Sequence, residues 1–586
     1  MSQDLLARAR AWADADPDPT SRAELEALLA ASDPSKTDLA DRFAASLEFG
    51  TAGLRGVIGA GPNRMNRAVV LQTTWGLGQY LLETNANGAK AGVVIGYDGR
   101  RLSDTFAEDT ACVLAAMGVQ AYLFDGTVPT PLLAYAVTKL GCAAGVMVTA
   151  SHNPPEYNGY KAYWQNGAQI VPPIDGGIAR AITSAPPAKD VPRMAFDAAK
   201  AAGKVTIVGE PLARDYLAAV KELSVRNDGS RDLKIVYTPM HGVGDALCRR
   251  AFDDARFTDV VSVPEQQKPD GAFPTVAFPN PEEKGAMDLA FALARGRKAD
   301  LVLANDPDAD RLAVALPFEG AASGYLQLTG NQVGVLLGHY VLTGGLKRDG
   351  ADPKALVIAS IVSSPMLGVV AAALGAKYEE TLTGFKWIAN RAMELKKEKK
   401  LAFVFGYEEA LGYTVGELVR DKDGVSAAVV FAELAAVLAA QGTTVLGHLE
   451  SLYRRYGLFT SSQVNVTRKG ADGIAELKAI MAKLRAAPPK VVAGDEVLAV
   501  RDYQRRVRIA KDGTESPLTL PPSDVLSFEL ASGSRIIARP SGTEPKAKFY
   551  FDVREPMERG EPMTAAEARA ATAMKRLSDA FVALAL

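Results

Sequence analysis

Residues 143–161 read AAGVMVTASHNPPEYNGYK, and the fold is read outward from there. Residues 143–150 form a short apolar run of the kind that makes a buried strand. The run stops at Ser151, and Pro154 with Pro155 keeps a helix from starting at once. A hydroxyl is thus delivered at the tip of a rigid strand, followed by His152 and Asn153 in a stiff loop. Such placement suits a nucleophile or a phosphoryl carrier, because positioning supplies much of catalysis. Ser-His adjacency alone is a weak signal, since a serine in a loop is far more often just a loop residue.

On either side, strands and helices alternate. AGVVIGYD (91–98) and VQAYLFD (119–125) read as strands, with helices predicted from Ser103 to Met117 and after Pro131. A second unit begins near Asp215 and carries the strand LKIVYTP (233–239). A third begins near Tyr325 with ALVIAS (355–360) and LAFVF (401–405), and RIIA (535–538) lies in a last domain. This rhythm is α/β. Residues 1–45 look helical, with Ser21 and Glu24 as a capping box after the DPDP turn. Residues 185–205, rich in Ala, Pro and Lys, read as a linker.

A second chemical signal follows the apolar run ADLVLAN (299–305), where Asp306, Asp308 and Asp310 alternate before Arg311. Three convergent carboxylates repel one another strongly unless a cation sits among them. A few hard oxygen ligands, with room for water or phosphate, suit Mg²⁺. An EF-hand loop is excluded: its sixth position is Arg311 rather than Gly, and its twelfth is Pro317 rather than Glu. A phosphatase with Asp306 as nucleophile is the competing reading, but it has no need of the Ser151 loop.

Three further stretches offer groups for an anion or for paired hydroxyls. FGTAGLRG (49–56) has glycines that let the backbone approach an anion, beside the forked donor of Arg55. GYEEALG (406–412) sets Glu408 and Glu409 in a glycine-bounded turn able to accept bonds from paired hydroxyls. RPSGTEPK (539–546) flanks Ser541, Gly542 and Thr543 with Arg539 and Lys546, forming an anion nest. Gly242 and Gly244, by contrast, lack the third glycine of a dinucleotide fingerprint.

Taken together, T-A-S-H-N-P-P-x-x-N-G-x-K, D-x-D-x-D-R, the glutamate turn and R-x-S-G-T-E-P resemble, in order, the loops of the α-D-phosphohexomutases, the phosphoglucomutase/phosphomannomutase superfamily. The resemblance spans roughly residues 45–586. It implies three related mixed α/β domains plus a smaller C-terminal α+β domain around a central cleft. The expected boundaries are a helical extension over 1–44, a phosphoserine domain over 45–205, a metal-binding domain over 206–324, a sugar-binding domain over 325–458 and a phosphate-binding domain over 459–586. By the same resemblance Ser151 carries a phosphoryl group and, with Asp306, Asp308 and Asp310, holds Mg²⁺. His152, Lys161 and Arg55 are catalytic candidates, with Lys161 as acid/base. Thr51, Arg311, Lys386 (in the T-G-F-K turn, 383–386), Glu408 and Glu409 contact substrate, and Arg539, Ser541, Gly542, Thr543 and Lys546 hold the phosphate that is not reacting.

The implied activity is a phosphoglucomutase working through glucose 1,6-bisphosphate, which also serves as activator, with phosphomannose or phosphopentose as competing substrates. The reaction implies that the last domain moves. Ala410 stands where most of the family has a serine, and E-E-A-L-G followed by DKDGVSAA (421–428) resembles the phosphoglucomutase-2 branch, which includes phosphopentomutases.

Composition narrows the partners. The chain has 586 residues, 66 Lys plus Arg against 68 Asp plus Glu, and 48% hydrophobic residues. That size implies several domains, and the balance leaves no basic footprint for nucleic acid or a membrane surface. Cys112, Cys142 and Cys248 lack metal spacing and read as free thiols in a reducing compartment. The first residues lack the apolar core of a signal peptide, and the run near 425–440 is interrupted by Glu433. A cytoplasmic protein acting on small sugar phosphates is expected.

Overall fold

The computed structural model describes residues 3–31, 38–48, 53–467, 470–540 and 546–586. It divides into two units: Met1–Thr329 with Gly384–Met393 and Ala410–Ala436, and Gly330–Thr383 with Glu394–Glu409 and Val437–Leu586.

In the first unit, β1 (Leu54–Val57), β2 (Val93–Tyr97), β3 (Ala121–Phe124), β4 (Ala144–Val148), β5 (Tyr157–Trp164) and β6 (Val205–Val208) form one sheet in the order β1-β5-β4-β2-β3-β6. The strands β4, β2, β3 and β6 run parallel, while β5 is antiparallel to both β4 and β1. β4 is buried along its whole length, which is why it reads as a continuous apolar run. Helices Arg67–Thr84, Ser103–Ala116 and Thr130–Lys139 supply the layers around this sheet.

Register decides which side chains of β5 face the chemistry. Arg55 pairs with Gly159, and Met147 with Lys161. Directly opposed residues share a face and alternate residues repeat it, so Arg55, Gly159 and Lys161 lie on one side. Tyr160 lies on the other, in the apolar core, where its hydroxyl is 3.1 Å from Thr74 Oγ1. A Cβ on Gly159 would sit 2.6 Å from the carbonyl oxygen of Thr149, so only glycine fits beneath the serine loop.

The second sheet is built alike: β7 (Ile235–Thr238), β8 (Val260–Ser262), β9 (Leu301–Ala304), β10 (Ala313–Pro317) and β11 (Tyr325–Gln327), in the order β11-β10-β9-β7-β8. Both sheets place their functional loops at the carboxyl ends of buried strands, Ser151 after β4 and Asp306 after β9.

Three expectations are corrected. The stretch 185–205 is more than a linker: helix Phe196–Ala201 lies in it and β6, starting at Val205, extends the first sheet beside β3. Tyr325 does not open a third unit, because β11 pairs with β10. The second helix, Pro19–Ala30, is capped by Asp18, which accepts from Thr20 N with Pro19 in the first turn; Ser21 is buried inside it, and Glu24 instead accepts from Arg42 and from Ala60 N.

No single helix among the described residues is long and apolar enough to cross a membrane. Within the apolar helix Gly424–Ala440, Glu433 is buried because it is fully used: it accepts from Ser224 Oγ and the backbone N–H groups of Val225 and Arg226, and pairs with Arg231 at 3.0 Å.

In the second unit, β12 (Ala355–Ser360), β13 (Lys377–Thr381) and β14 (Ala402–Glu408) run parallel in the order β13-β12-β14. The C-terminal domain is an antiparallel sheet, including Leu458–Thr467, Lys546–Glu555, Arg535–Pro540 and Leu526–Leu530 as neighbours, covered by helix Met563–Ala585. Phe581 of that helix meets Phe528, Phe549 and Phe551 edge-on, with centroids 5.3, 5.5 and 6.0 Å away.

Candidate active site

Ser151 sits where the β4 run predicts, at φ +51°, a left-handed conformation that costs an L-residue roughly 1–3 kcal/mol and persists only when the surroundings impose it. The surroundings do. Ser151 N donates to Thr149 Oγ1 at 2.9 Å, whose hydroxyl donates to Asp98 at 2.6 Å. The buried Arg100 guanidinium donates to the carbonyl oxygens of Ser151 (2.6 Å), Pro154 (2.9 Å), Tyr157 (3.1 Å) and Asn153. The Asp98-Gly99-Arg100 turn is therefore the scaffold of the serine loop.

Ser151 Oγ donates to Asp306 Oδ2 at 2.6 Å, and His152 Nδ1 lies 3.1 Å from it. Burial, with Arg311 and Arg55 adding to it, holds the imidazole well below its usual pKa, so His152 is neutral near pH 7. Arg55 donates to Asn153 Oδ1 at 2.8 Å; burial and Arg311 pull its guanidinium down to about 10, which leaves it charged.

The three aspartates converge as expected: one oxygen from each lies within 4.8 Å of the others, and all three side chains are buried. Lys161 donates to Asp308 at 2.7 Å and Asp310 at 2.9 Å, and Lys422 donates to Asp310 at 2.7 Å. Burial opposes the charge on Lys161, but Asp308 and Asp310 outweigh it and the ammonium is held above its ordinary pKa. Burial and the two neighbouring carboxylates push Asp306 well up, whereas Lys161 and Lys422 hold Asp310 down despite burial. Asp308 Oδ1 and Asp310 Oδ1 are buried and accept no hydrogen bond among the described residues. Buried, unpartnered carboxylate oxygens beside a third carboxylate are the donor set a hard divalent cation needs, so the residues fit Mg²⁺.

Two members of this cluster, Thr130 and Lys422, were not singled out from the sequence. Thr130, at the start of its helix, donates from Oγ1 to Asp308 Oδ2 at 2.6 Å and from N to Asp308 O at 2.9 Å. A threonine before proline carries no signal for that role. Lys422 lies inside the quoted DKDG stretch, and a lysine between two acids was its only clue. The Asp98-Gly99-Arg100 turn, by contrast, resembles one that the family carries near its catalytic loop, and here Arg100 grips the serine loop.

Profiles of the phosphoglucomutase/phosphomannomutase alpha/beta/alpha domains I, II and III match residues 46–188, 214–317 and 329–456. A Schizosaccharomyces pombe protein described as a probable phosphoribomutase is 40% identical over 561 residues, covering 93% of this chain and 92% of its own length. The chain belongs to the phosphoglucomutase/phosphomannomutase family. It falls in the phosphoglucomutase-2-like branch of the α-D-phosphohexomutases. A Haemophilus influenzae protein described as a probable phosphomannomutase is 41% identical over 496 residues, 84% of this chain and 93% of its own. In fold, the chain resembles the crystal structure of a phosphomannomutase homologue from Thermus thermophilus, with TM-score 0.65 at 22% identity, covering 92% of this chain and 99% of that one.

The remaining candidates from the family pattern distribute as follows. Arg311 lies beside the triad, its Nε 4.0 Å from Asp306 and 3.9 Å from Asp310. Lys386, at the start of helix Phe385–Lys399, stands 5.7 Å from the centroid of the Trp387 ring, and burial lowers its pKa. In the second unit, Glu408 ends β14, while the Glu409 carboxylate accepts from Ser360 Oγ at 3.1 Å and Ser363 Oγ at 3.2 Å. Those hydroxyls occupy one oxygen of Glu409. Arg539 donates to Tyr550 OH at 3.0 Å and lies over that ring, and Lys546 opens the strand Lys546–Glu555. Thr51, Ser541, Gly542 and Thr543 lie outside the described residues.

Proposed function

We propose that this mutase-family protein moves a phosphoryl group between the anomeric and terminal hydroxyls of an aldose, with Ser151 as the carrier and Mg²⁺ on Asp306, Asp308 and Asp310. The observation that carries the reading is the contact of Ser151 Oγ with the aspartate cluster, 2.6 Å from Asp306 Oδ2. Mg²⁺, when bound, supplies charge stabilisation to the transferring phosphoryl group.

The chain's own groups do the rest. In one half-reaction the O–P bond of phospho-Ser151 breaks as a sugar hydroxyl oxygen forms one, and the proton that hydroxyl loses ends on the freed Ser151 Oγ; the reverse half-reaction, on the other phosphate of the bisphosphate, recharges the serine. When Ser151 attacks, its proton has two acceptors within reach, Asp306 Oδ2 and the neutral His152 Nδ1. Lys161, held protonated by Asp308 and Asp310, is the proposed acid for the sugar oxygen. Arg55 and Arg311 balance phosphate charge. In the second unit, Glu408 is the proposed acceptor for sugar hydroxyls, and Arg539 with Lys546 the proposed contacts for phosphate. The expected last-domain motion, the five-part division with its boundaries moved beyond Val208 and Gln327, and a cytoplasmic location belong to the same proposal.

Glucose 1-phosphate and glucose 6-phosphate are the proposed pair. The full-length likeness to a probable phosphoribomutase favours a second reading, ribose 1-phosphate and ribose 5-phosphate. Coupled assays on glucose, mannose and ribose 1-phosphates, with Mg²⁺ and trace bisphosphate, rank the sugars by kcat/KM. Turnover of ribose but not glucose phosphate selects the second reading. Release of inorganic phosphate with label on Asp306 rather than Ser151 would replace both with a phosphatase.

A further inference from the structure

We propose that Asn305 is a positioning residue that holds the aspartate loop closed and thereby sets its affinity for a divalent cation; this rests on the Mg²⁺-dependent reading above. Asn305 is fully buried, and its side chain makes three hydrogen bonds. Nδ2 donates across the loop to the carbonyl oxygen of Arg311 at 2.5 Å. Oδ1 accepts from Tyr237 OH at 2.7 Å and from Cys248 Sγ at 3.2 Å. Its backbone N donates to Thr238 O at 3.0 Å. One amide thus ties the first residue of the loop, its last residue, β7 and the helix Asp245–Asp254 together.

Two sequence motifs that touch no substrate in the reading above are explained by this clamp. A Cβ on Gly424, in the DKDG stretch, would lie 2.3 Å from Arg311 O and 2.6 Å from Asn305 Nδ2. In the turn over residues 238–244, a Cβ on Gly242 would lie 2.3 Å from the Pro307 Cα, and one on Gly244 would lie 2.6 Å from Tyr237 OH. Val243 N also donates to Pro307 O at 2.8 Å. Both glycine-bearing turns therefore pack on the outside of the loop at distances no side chain permits. Within it, Ala309 is held at φ +54°, and Arg311 N donates to Asp306 Oδ1 at 3.0 Å. Opening the Asn305–Arg311 bond frees the last turn, and the three carboxylates then relax apart under their own repulsion. Residues behind metal ligands typically change affinity by roughly 10- to 100-fold when removed.

The test is Mn²⁺ binding to the full-length protein, read by electron paramagnetic resonance of free Mn²⁺, with folding checked by circular dichroism. Wild type binds one Mn²⁺ and the double variant Asp308→Asn, Asp310→Asn loses it, which locates the ion. Asn305→Ala stays folded and binds roughly 10- to 100-fold more weakly. Its Mg²⁺ half-saturation in turnover rises while KM for sugar phosphate does not. Tyr237→Phe, which removes one bond to Oδ1, weakens Mn²⁺ by a smaller factor and decides the matter if Asn305→Ala fails to fold. Equal Mn²⁺ affinity in wild type and a folded Asn305 or Tyr237 variant overturns the clamp and leaves the mutase reading standing. Absence of Mn²⁺ binding in wild type overturns both.

Discussion

Lys161 Nζ, delivered by the first sheet, donates to Asp308 Oδ2, delivered by the second, at 2.7 Å across 147 residues of chain. Both side chains are almost wholly buried, at 3% and 0% exposure. A buried pair contributes little net stability over apolar replacements, yet loss of one partner strands the other. Here the stranded groups would be the carboxylates proposed to hold the metal, so stability and metal binding are linked.

Lys161→Met is therefore expected to destabilise the metal-free protein by about 3–5 kcal/mol. Because a divalent cation offsets the same charges, millimolar Mg²⁺ recovers more melting temperature in the variant than in wild type. Thermal denaturation with EDTA and with Mg²⁺ checks it; equal shifts in the two proteins would detach the lysine from the metal site. Turnover falls by about 10²- to 10⁴-fold even with saturating metal, since the proposed acid is gone.

Ser151→Ala removes the carrier without touching Arg100 or the backbone bonds that shape the loop. Isomerisation is expected to fall by at least about 10³-fold, and serine phosphate disappears from the 151-containing peptide in mass spectra. Mn²⁺ binding survives, because the aspartates remain. Isomerisation at the wild-type rate would remove the serine from the mechanism.

The central strands and the chemistry-bearing loops were legible in the sequence because each is a local pattern. Residues 143–150 are apolar throughout since β4 is covered on both faces, and three aspartates at alternate positions announce their own repulsion. Partners supplied from far away were not legible. Thr130 reaches Asp308 across 178 residues and Lys422 reaches Asp310 across 112, and nothing in either neighbourhood encodes the meeting. The strand Val205–Val208 was hidden because its middle residues are exposed on a sheet edge, so its pattern is not that of a buried strand. Asp18 took the cap expected of Ser21 because a proline follows it at the first helical position.

Within the second unit, Glu380 on β13 receives two arginines of the C-terminal sheet, Arg501 at 2.9 Å and Arg535 at 3.1 Å. Arg535 also donates to the carbonyl oxygen of Ser363, whose hydroxyl holds Glu409. Glu380→Gln is expected to destabilise this unit by about 2 kcal/mol, because bonds to a charged acceptor are weakened with little exposure to water. Breaking the exposed pair Arg505–Glu515 with Arg505→Ala should change stability by under about 1 kcal/mol. Urea unfolding of the two variants compares them directly, and equal losses would mean the Glu380 cluster is no stronger than a surface pair.

His339 and His448 give the same unit a pH response. Their rings are 5.1 Å apart, with His448 Nε2 3.4 Å from His339 Nδ1, on helices Gly330–Leu342 and Val445–Tyr456. Burial, with His448 and Arg455 adding to it, pushes His339 down to about 3. In the unfolded chain an imidazole takes its proton near pH 6.5. Between those values the unfolded state binds the extra proton, so stability falls as pH falls through 6.5 and is unaffected by this residue above it. The loss from pH 6.5 to 5 is about 2 kcal/mol for His339, at about 1.4 kcal/mol for each pH unit. All four tryptophans, Trp12, Trp75, Trp164 and Trp387, belong to the first unit, so their fluorescence does not report the change. Amide hydrogen exchange of the two helices does: protection should drop between pH 6.5 and 5, after correction for intrinsic exchange. His339→Gln should flatten that dependence, and a slope as steep in the variant as in wild type would assign the proton to another group.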